Sequence, residues 1–281
     1  MGIKQFFVQW IFPPGFTKLL RGRKKLTVQT ELDPQSIQEI KKTCRLRDRH
    51  IGKRCFILGS GSSVKLQDIK KLSGEIVMSV SNSFVHPDFQ FIKPMYHILP
   101  PVFRSHSHLY EKSKFVEWLK EMDSKIFDAE IILHIFDKQI VDENSIFKNR
   151  KMHWIEYTHW NEDFNTPIDP RSIPHIWSVS EAAITMAVYM GFEKIYLLGF
   201  DHDWFNGPLN YFYDEKKEHR VQPTKEALRF ADSEFQMRRH ASIFKKYKYL
   251  YSLRQNIFNA NAERNSYVDV FPKVEYDSLF T

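Results

Sequence analysis

The 281-residue chain is 42% hydrophobic and 27% charged, which is typical of a globular protein with a full core and unlike a disordered one. Its net charge of +7 comes entirely from residues 1–50, which carry eleven Lys or Arg against four Asp or Glu. Residues 51–281 therefore have no basic surplus of the kind expected of a nucleic-acid-binding domain. Two cysteines, Cys44 and Cys55, are too few for a disulfide framework, and a reduced, cytosolic protein is expected.

Residues 1–50 predict a basic, aromatic N-terminal arm that ends in a short amphipathic helix over 31–50. Pro13-Pro14 interrupts the apolar run of the arm, and no small-residue cleavage site follows, so a signal peptide is not favoured. Aromatic side chains beside Lys and Arg are typical of a segment that lies on an anionic membrane surface. Attachment to such a surface and packing of the arm on its own domain or on another subunit are both open interpretations.

Apolar runs alternate with helical patterns along residues 51–281, which predicts the α/β class. Since strand–helix–strand units connect parallel strands by right-handed crossovers, we expect one Rossmann-like domain with a mostly parallel sheet and helices on both faces. The most apolar helix opens with a capping box, Ser178-x-x-Glu181. The predicted strands are 55–58, 75–82, 95–99, 130–136, 152–157, 194–200 and 256–261, and the predicted helices are 64–72, 108–124, 179–191 and 224–251.

A turn rich in glycine and serine follows the first strand and is the first candidate ligand site. Glycine lets a ligand approach the backbone closely, and a helix that begins after such a turn presents N–H groups that suit phosphate. Ser62 or Ser63 is expected to cap that helix. A plain strand-to-helix turn is the alternative. The turn consists of Gly59, Ser60, Gly61, Ser62 and Ser63.

Polar residues that follow three of the predicted strands are expected to line one crevice, because ligands bind beyond the carboxyl ends of strands in open α/β sheets. These residues are Ser60, Asn82 and Asp201. Asp201 and Asp203 also have the spacing with which nucleotide-sugar transferases hold Mg²⁺ or Mn²⁺. In the favoured alternative, Asp201 caps or orients a loop through hydrogen bonds to the backbone.

The segment 204–223 is aromatic and charged without a regular period, and its length between a strand and a helix is typical of a lid. Tyr211 in this segment is a candidate donor to a departing phosphate. A histidine is the usual general base for a sugar hydroxyl at neutral pH, and His202, His219 and His240 lie in or near this region.

Several reaction classes lack their sequence signatures. The chain has no zinc-ligand spacing and no Gly-x-Ser-x-Gly elbow, and its glycine turn lacks both the Lys of a P-loop and the third Gly of a dinucleotide fingerprint. Zinc enzymes, serine hydrolases, P-loop kinases and NAD enzymes are therefore disfavoured. A nucleotide held by hydroxyls, amides and backbone N–H groups is the interpretation that is left.

Three stretches resemble a bacterial group of proteins. They are Cys-Phe-Ile-Leu-Gly-Ser-Gly-Ser-Ser-Val, Ser-Asn-Ser-Phe, and Met-Gly-Phe-Glu-Lys-Ile-Tyr-Leu-Leu-Gly-Phe-Asp. The group contains the CMP-sialic acid-dependent lipooligosaccharide sialyltransferases (glycosyltransferase family 42) and the related 6-hydroxymethylpterin diphosphokinase-like domain, and the similarity spans about 54–261. The resemblance implies a GT-A-like variant of the Rossmann fold, a nucleotide site and chemistry that needs no metal.

Carried onto this chain, the resemblance implies that the glycine turn, Asn82 and either Ser178 or Ser180 contact the nucleotide. It places the family's Asp after the last core strand on Asp201, and the tyrosine that faces the phosphate on Tyr211. The family has Asn and Pro in the turn where this chain has Ser60 and Ser62. That departure leaves the donor sugar open.

The resemblance also implies a histidine base after the lid. Ungapped spacing puts this position on Met237, with His219 before it and His240 after it. His219 is the first candidate for the base, and His240 is the second.

These observations predict a glycosyltransferase that moves a sugar from a nucleotide-activated donor, CMP-linked by resemblance, to a bacterial surface glycan such as lipooligosaccharide or capsule. No cofactor is expected beyond the donor, and the arm is expected to hold the enzyme on the cytoplasmic face of the inner membrane. Two alternatives stay open: a Mg²⁺-dependent diphosphokinase-like enzyme acting on a small alcohol, and a non-catalytic scaffold of a polysaccharide assembly complex. No nucleic-acid partner is expected, and an oligomer is compatible with the sequence.

Overall fold

Nine strands and six α-helices are seen in the described part of the chain. The computed structural model describes residues 32–100, 112–158, 167–174, 176–202, 211–214, 233–261 and 268–281. The strands are β1 Arg54–Leu58, β2 Val77–Val80, β3 Tyr96–Ile98, β4 Glu130–His134, β5 Met152–Ile155, β6 Tyr157–Thr158, β7 Ile173–Pro174, β8 Lys194–Leu198 and β9 Ile257–Asn259. The helices are α1 Pro34–Thr43, α2 Phe89–Ile92, α3 Lys112–Lys125, α4 Lys138–Glu143, α5 Val179–Tyr189 and α6 Ser233–Leu253.

Seven of these strands form one sheet in the order β5-β4-β3-β2-β1-β8-β9, and every neighbouring pair is parallel. The predicted Rossmann-like α/β fold is confirmed. The chain builds the sheet outward from β1 to β5, then crosses back to place β8 on the other side of β1. The strand order therefore reverses between β1 and β8, which is the position where open α/β sheets bind ligands.

Two apolar clusters cover the two faces of this sheet. One contains apolar side chains of α3 and α4, such as Phe115, Trp118 and Ile140. The other contains those of α5 and α6, such as Ala183, Met186 and Tyr247. Because consecutive side chains of a strand point to opposite faces, strands with apolar residues throughout can join both clusters.

Most predicted strands agree with the structure to within a few residues, but the helix predicted over 64–72 is wrong. The chain there forms two short 3₁₀ turns, Ser62–Leu66 and Ile69–Leu72. Gln67 between them is extended, and the Asp68 side chain accepts a hydrogen bond from the Lys70 N–H that starts the second turn. A second departure is the small parallel sheet of β6 and β7, which the sequence did not indicate.

The capping box at the start of α5 is confirmed, since the Ser178 and Glu181 side chains both bond backbone N–H groups. Both cysteines are free thiols. Within the described residues, no helix is both long enough and apolar enough to cross a bilayer. The arm as far as residue 31, and the predicted lid apart from 211–214, lie outside the described residues.

Candidate functional site

The glycine turn after β1 packs directly against the end of β8. The Gly59 N–H donates to the Leu198 carbonyl at 2.7 Å, and the Gly61 N–H donates to the Gly199 carbonyl at 3.0 Å. A Cβ on Gly59 would meet the Gly199 carbonyl oxygen, and Gly199 itself has a φ of +69°. The glycines are therefore required for the close approach of the two strand ends, whether or not a ligand binds there.

Asp201 holds this turn from the β8 side. Its carboxylate accepts the Ser63 N–H at 2.9 Å and the Ser62 hydroxyl at 3.3 Å, and it also accepts the Ser63 hydroxyl. The Asp201 side chain is buried. The expectation that Ser62 or Ser63 caps a helix here is wrong, because Gly61 occupies the cap position without a side-chain bond. The Ser63 N–H in this turn donates to Asp201. The loop-orienting interpretation of Asp201 is the one these contacts support.

Tyr211 lies over the glycine turn. It forms an isolated antiparallel bridge with Gly61, and the next N–H, of Phe212, donates to the Ser60 carbonyl at 3.2 Å. The Tyr211 ring stacks on Tyr213 with centroids 5.1 Å apart. Both tyrosines are half-buried. The described part of the predicted lid thus lies over the turn that joins the carboxyl ends of β1 and β8, where the crevice is expected.

Asn82 follows β2, the neighbour of β1 in the sheet, and so lies at the same edge. It is buried, and its side-chain oxygen accepts the Trp118 indole N–H at 2.5 Å. The residue before it, Ser81, has a φ of +48°, an uncommon conformation for a residue with a side chain. The structure therefore places Asn82 at the carboxyl edge with its amide oxygen bonded to α3.

The N-terminus of α5 reaches this edge as well, because the helix runs antiparallel to the strands it connects. The Ser180 hydroxyl donates to the Ser178 hydroxyl at 2.7 Å and accepts the Tyr247 hydroxyl at 2.6 Å. His202 lies 2.9 Å from the Tyr247 hydroxyl through its Nε2. Ser178 and Ser180 are thus connected by hydrogen bonds to the residue that follows Asp201.

The histidine candidates differ in what the structure says of them. His219 and Asp203 lie outside the described residues. His240 on α6 is buried, and its ring meets the His202 ring edge-on at 5.8 Å. Burial, and then the neighbouring His202 and Arg239, lower the pKa of His240 to about 3. Burial lowers the pKa of His202 to about 4. Both rings are therefore neutral at pH 7.

A buried ion pair supports the α5 end of the site. Glu181 and Lys246 are buried with Oε1 and Nζ 3.3 Å apart, and Glu181 also accepts the N–H groups of Trp177 and Ser178. Burial raises the pKa of Glu181 and lowers the pKa of Lys246. The pair joins α5 to α6 directly below the capping box.

In the described chain, the glycine turn, Asp201 and Tyr211 are brought into direct contact. Ser178 and Ser180 are connected to His202 through Tyr247, the His240 ring packs against His202, and Asn82 follows the neighbouring strand β2. Within the described ranges, no three His, Cys, Asp or Glu residues are grouped as a metal would need. Sequence reasoning missed Gly199, Trp118 and Tyr247. A signal existed for Gly199 alone, as a glycine directly after an apolar strand.

Neither the comparison with protein-family models nor the comparison with curated proteins finds a match for this chain.

Proposed function

We propose that the chain is a glycosyltransferase that takes its sugar from a nucleotide-activated donor and passes it to a bacterial surface glycan. The observation that carries the proposal is the reversal of strand order between β1 and β8, the position of the expected crevice, with Tyr211 over it. The described turns around this crevice, 59–63, 81–86, 199–202 and 211–214, contain no Lys or Arg. They offer hydroxyls and amides, which fits a nucleotide held by hydrogen bonds.

A histidine base in this proposal removes the proton from the acceptor hydroxyl, and Tyr211 stabilises the departing phosphate. A base is most effective when its pKa lies near the working pH, and a pKa of about 3 makes His240 a weak proton acceptor. His219 is for this reason the first choice. The proposal also includes a CMP-linked donor, which draws on the family resemblance. It places the enzyme on the inner face of the inner membrane, which draws on the basic N-terminal arm.

The test is a thermal-shift panel of CMP, UDP, GDP and ATP, each with and without Mg²⁺. A ligand that binds only the folded state raises the melting temperature by mass action. We expect stabilisation by CMP without a metal requirement. Stabilisation by ATP with Mg²⁺ alone would assign the site to a diphosphokinase, and no shift with any nucleotide would favour a non-catalytic scaffold.

A matched pair of variants locates the binding. Tyr211→Phe removes the hydroxyl over the crevice and should reduce the shift caused by CMP. Tyr251→Phe removes the same group near the far end of α6 and should leave that shift unchanged. Equal shifts in the two variants would remove Tyr211 from the proposal.

A further inference from the structure

The edge of the sheet opposite the candidate site carries a strong positive charge. We call it the N-terminal edge and define it as the segments at which the seven parallel strands begin: 47–53, 73–76, 93–95, 125–129, 148–151, 191–193 and 254–256. These segments contain nine Lys or Arg and four Asp or Glu. The described turns at the candidate site contain no Lys or Arg. The N-terminal edge is therefore more positively charged than these described turns.

Exposed apolar side chains lie on the same edge. Ile51, before β1, is 70% exposed; Met95, before β3, is 39% exposed; and Phe127, before β4, is 43% exposed. Neighbouring strands are about 5 Å apart, so the three side chains span roughly 15 Å along the edge. Apolar groups among cations at this spacing are typical of a surface that meets the interface of an anionic bilayer.

The turn that carries Ile51 is fixed in place. The N–H groups of Asp48 and His50 donate to the carbonyls of Tyr189 and Met190 at the end of α5, at 3.1 and 2.9 Å. His50 also lies 2.8 Å from the Tyr96 hydroxyl. A Cβ built on Gly52, at the tip of the turn, would meet nothing within 4 Å. Ile51 is thus held outward by a rigid support.

Arg49 connects this turn with the far side of the edge. Its guanidinium lies over the Tyr96 ring and pairs with Glu130 at 2.8 and 3.1 Å. Glu130 also pairs with Lys151 at 3.3 Å. The segments before β1, β4 and β5 are therefore linked into one continuous surface.

An open basin of about 850 Å³ lies at the β4–β5 end of this surface. Phe127, Lys120 and Lys148 line it, together with the acidic residues Asp123, Asp128 and Glu130. Asp123 is paired with Arg150, and Glu130 is paired with Arg49 and Lys151. In the part of the chain that the structure describes, neither Lys120 nor Lys148 has a carboxylate partner. The basin has room for a phospholipid headgroup, and its two free ammonium groups are suited to a phosphate.

We propose that the N-terminal edge docks on an anionic phospholipid bilayer, with Ile51, Met95 and Phe127 entering the interface and the surrounding Lys and Arg contacting headgroup phosphates. The aliphatic side chains favour a bilayer over a nucleic acid, because Ile51 and Met95 can be buried in the apolar layer of a bilayer and cannot stack on bases as an aromatic ring does. This inference does not depend on the proposed enzymatic function.

The test uses the full-length protein, co-sedimented with phosphatidylcholine vesicles that do or do not contain phosphatidylglycerol. The edge variant is Ile51→Asp with Lys53→Glu. The control variant is Leu66→Asp with Lys65→Glu, which makes the same change of charge at an apolar side chain that is 68% exposed. Both variants retain the N-terminal arm, so the arm contributes equally to each.

We expect wild-type protein to bind the anionic vesicles and the control variant to bind like wild type. The edge variant should bind at least about tenfold more weakly than wild type. Equal binding by the two variants, or equal binding to vesicles without phosphatidylglycerol, would overturn the proposal. So would wild-type protein that binds a single-stranded RNA probe and not the vesicles. Melting curves verify that each variant is folded. If the edge variant is not folded, the single change Lys148→Glu, at an exposed residue, replaces it in the comparison.

Discussion

Gly59 lies where the ends of β1 and β8 come closest. A Cβ at this position would meet the Gly199 carbonyl oxygen and lie 2.9 Å from its carbonyl carbon, and both are backbone atoms that cannot rotate away. We expect Gly59→Ala to lower the free energy of unfolding by about 1–3 kcal/mol, the usual cost of overpacking, as measured by chemical denaturation. Ser60→Ala, at the half-buried next residue, is the control. A Gly59→Ala protein as stable as this control would contradict the packing argument.

His97 on β3 is fully buried, with its Nδ1 2.7 Å from the Ser79 hydroxyl. Burial lowers the pKa of His97 to about 3. The unfolded chain binds this proton near pH 6.5, so the stability contributed by the neutral ring is complete above pH 6.5 and is lost as the pH falls toward 3. Between pH 7 and pH 5 we expect wild type to lose about 2 kcal/mol more stability than His97→Asn.

The measurement for His97 is the free energy of unfolding at a series of pH values, compared as a slope. Because both proteins share every other titrating group, the slope isolates His97 from the general loss of stability that the substitution causes. Parallel curves for the two proteins would mean that the pKa of His97 is the same in the folded and the unfolded chain.

Residue roles at the site show where prediction from sequence reached its limit. The glycine turn, Asn82 and Asp201 were identified from their places after apolar strands, and the structure does bring them to one edge. The bonding was not predictable: Ser63 and Asp201 are 138 positions apart, and a serine before a helical pattern is locally indistinguishable from an N-cap. The Asp201 carboxylate reaches the Ser63 N–H because the pairing of β1 with β8 brings the ends of these strands together.

The contact between α5 and α6 includes the buried pair Glu181–Lys246. Removing one partner leaves the other charge buried and unpaired, so we expect Lys246→Met to cost about 3 kcal/mol of stability. Adding Glu181→Gln removes that unpaired charge, so the double variant should lose less stability than the sum of the losses in the two single variants. Thermal or chemical unfolding of all four proteins gives the coupling energy. Additive losses would show that the two side chains do not interact.

At the scale of elements, the strands were predictable because each is a short apolar run bounded by glycine, proline or charge. The α5 boundary was predictable too, since its capping box is local. The segment 64–72 was not, because its apolar spacing fits a helix while Gln67 and Asp68 divide it into two 3₁₀ turns. The β6–β7 pair was missed since strands of two residues have no period to detect.

For the whole molecule, composition concealed the most informative feature. Residues 51–281 balance to zero charge, yet the part of the N-terminal edge that lies within them has a surplus of four positive charges, and the described turns of the candidate site have no Lys or Arg. The alternation of strands and helices predicted parallel strands, but the strand order, and with it the assignment of each loop to an edge, comes from long-range packing. The net charge of a stretch of sequence cannot reveal this difference, because it does not tell on which edge of the sheet each charge lies.

The two proposals together define an orientation. Strands of five residues separate the crevice from the N-terminal edge by roughly 17 Å, so a molecule docked through that edge holds the crevice away from the bilayer. We therefore expect the affinity for CMP to be the same with and without saturating phosphatidylglycerol vesicles, measured by titration calorimetry on full-length protein. A CMP affinity that falls as vesicles are added would mean that lipid covers the crevice, and it would place the membrane contact at the carboxyl edge of the sheet.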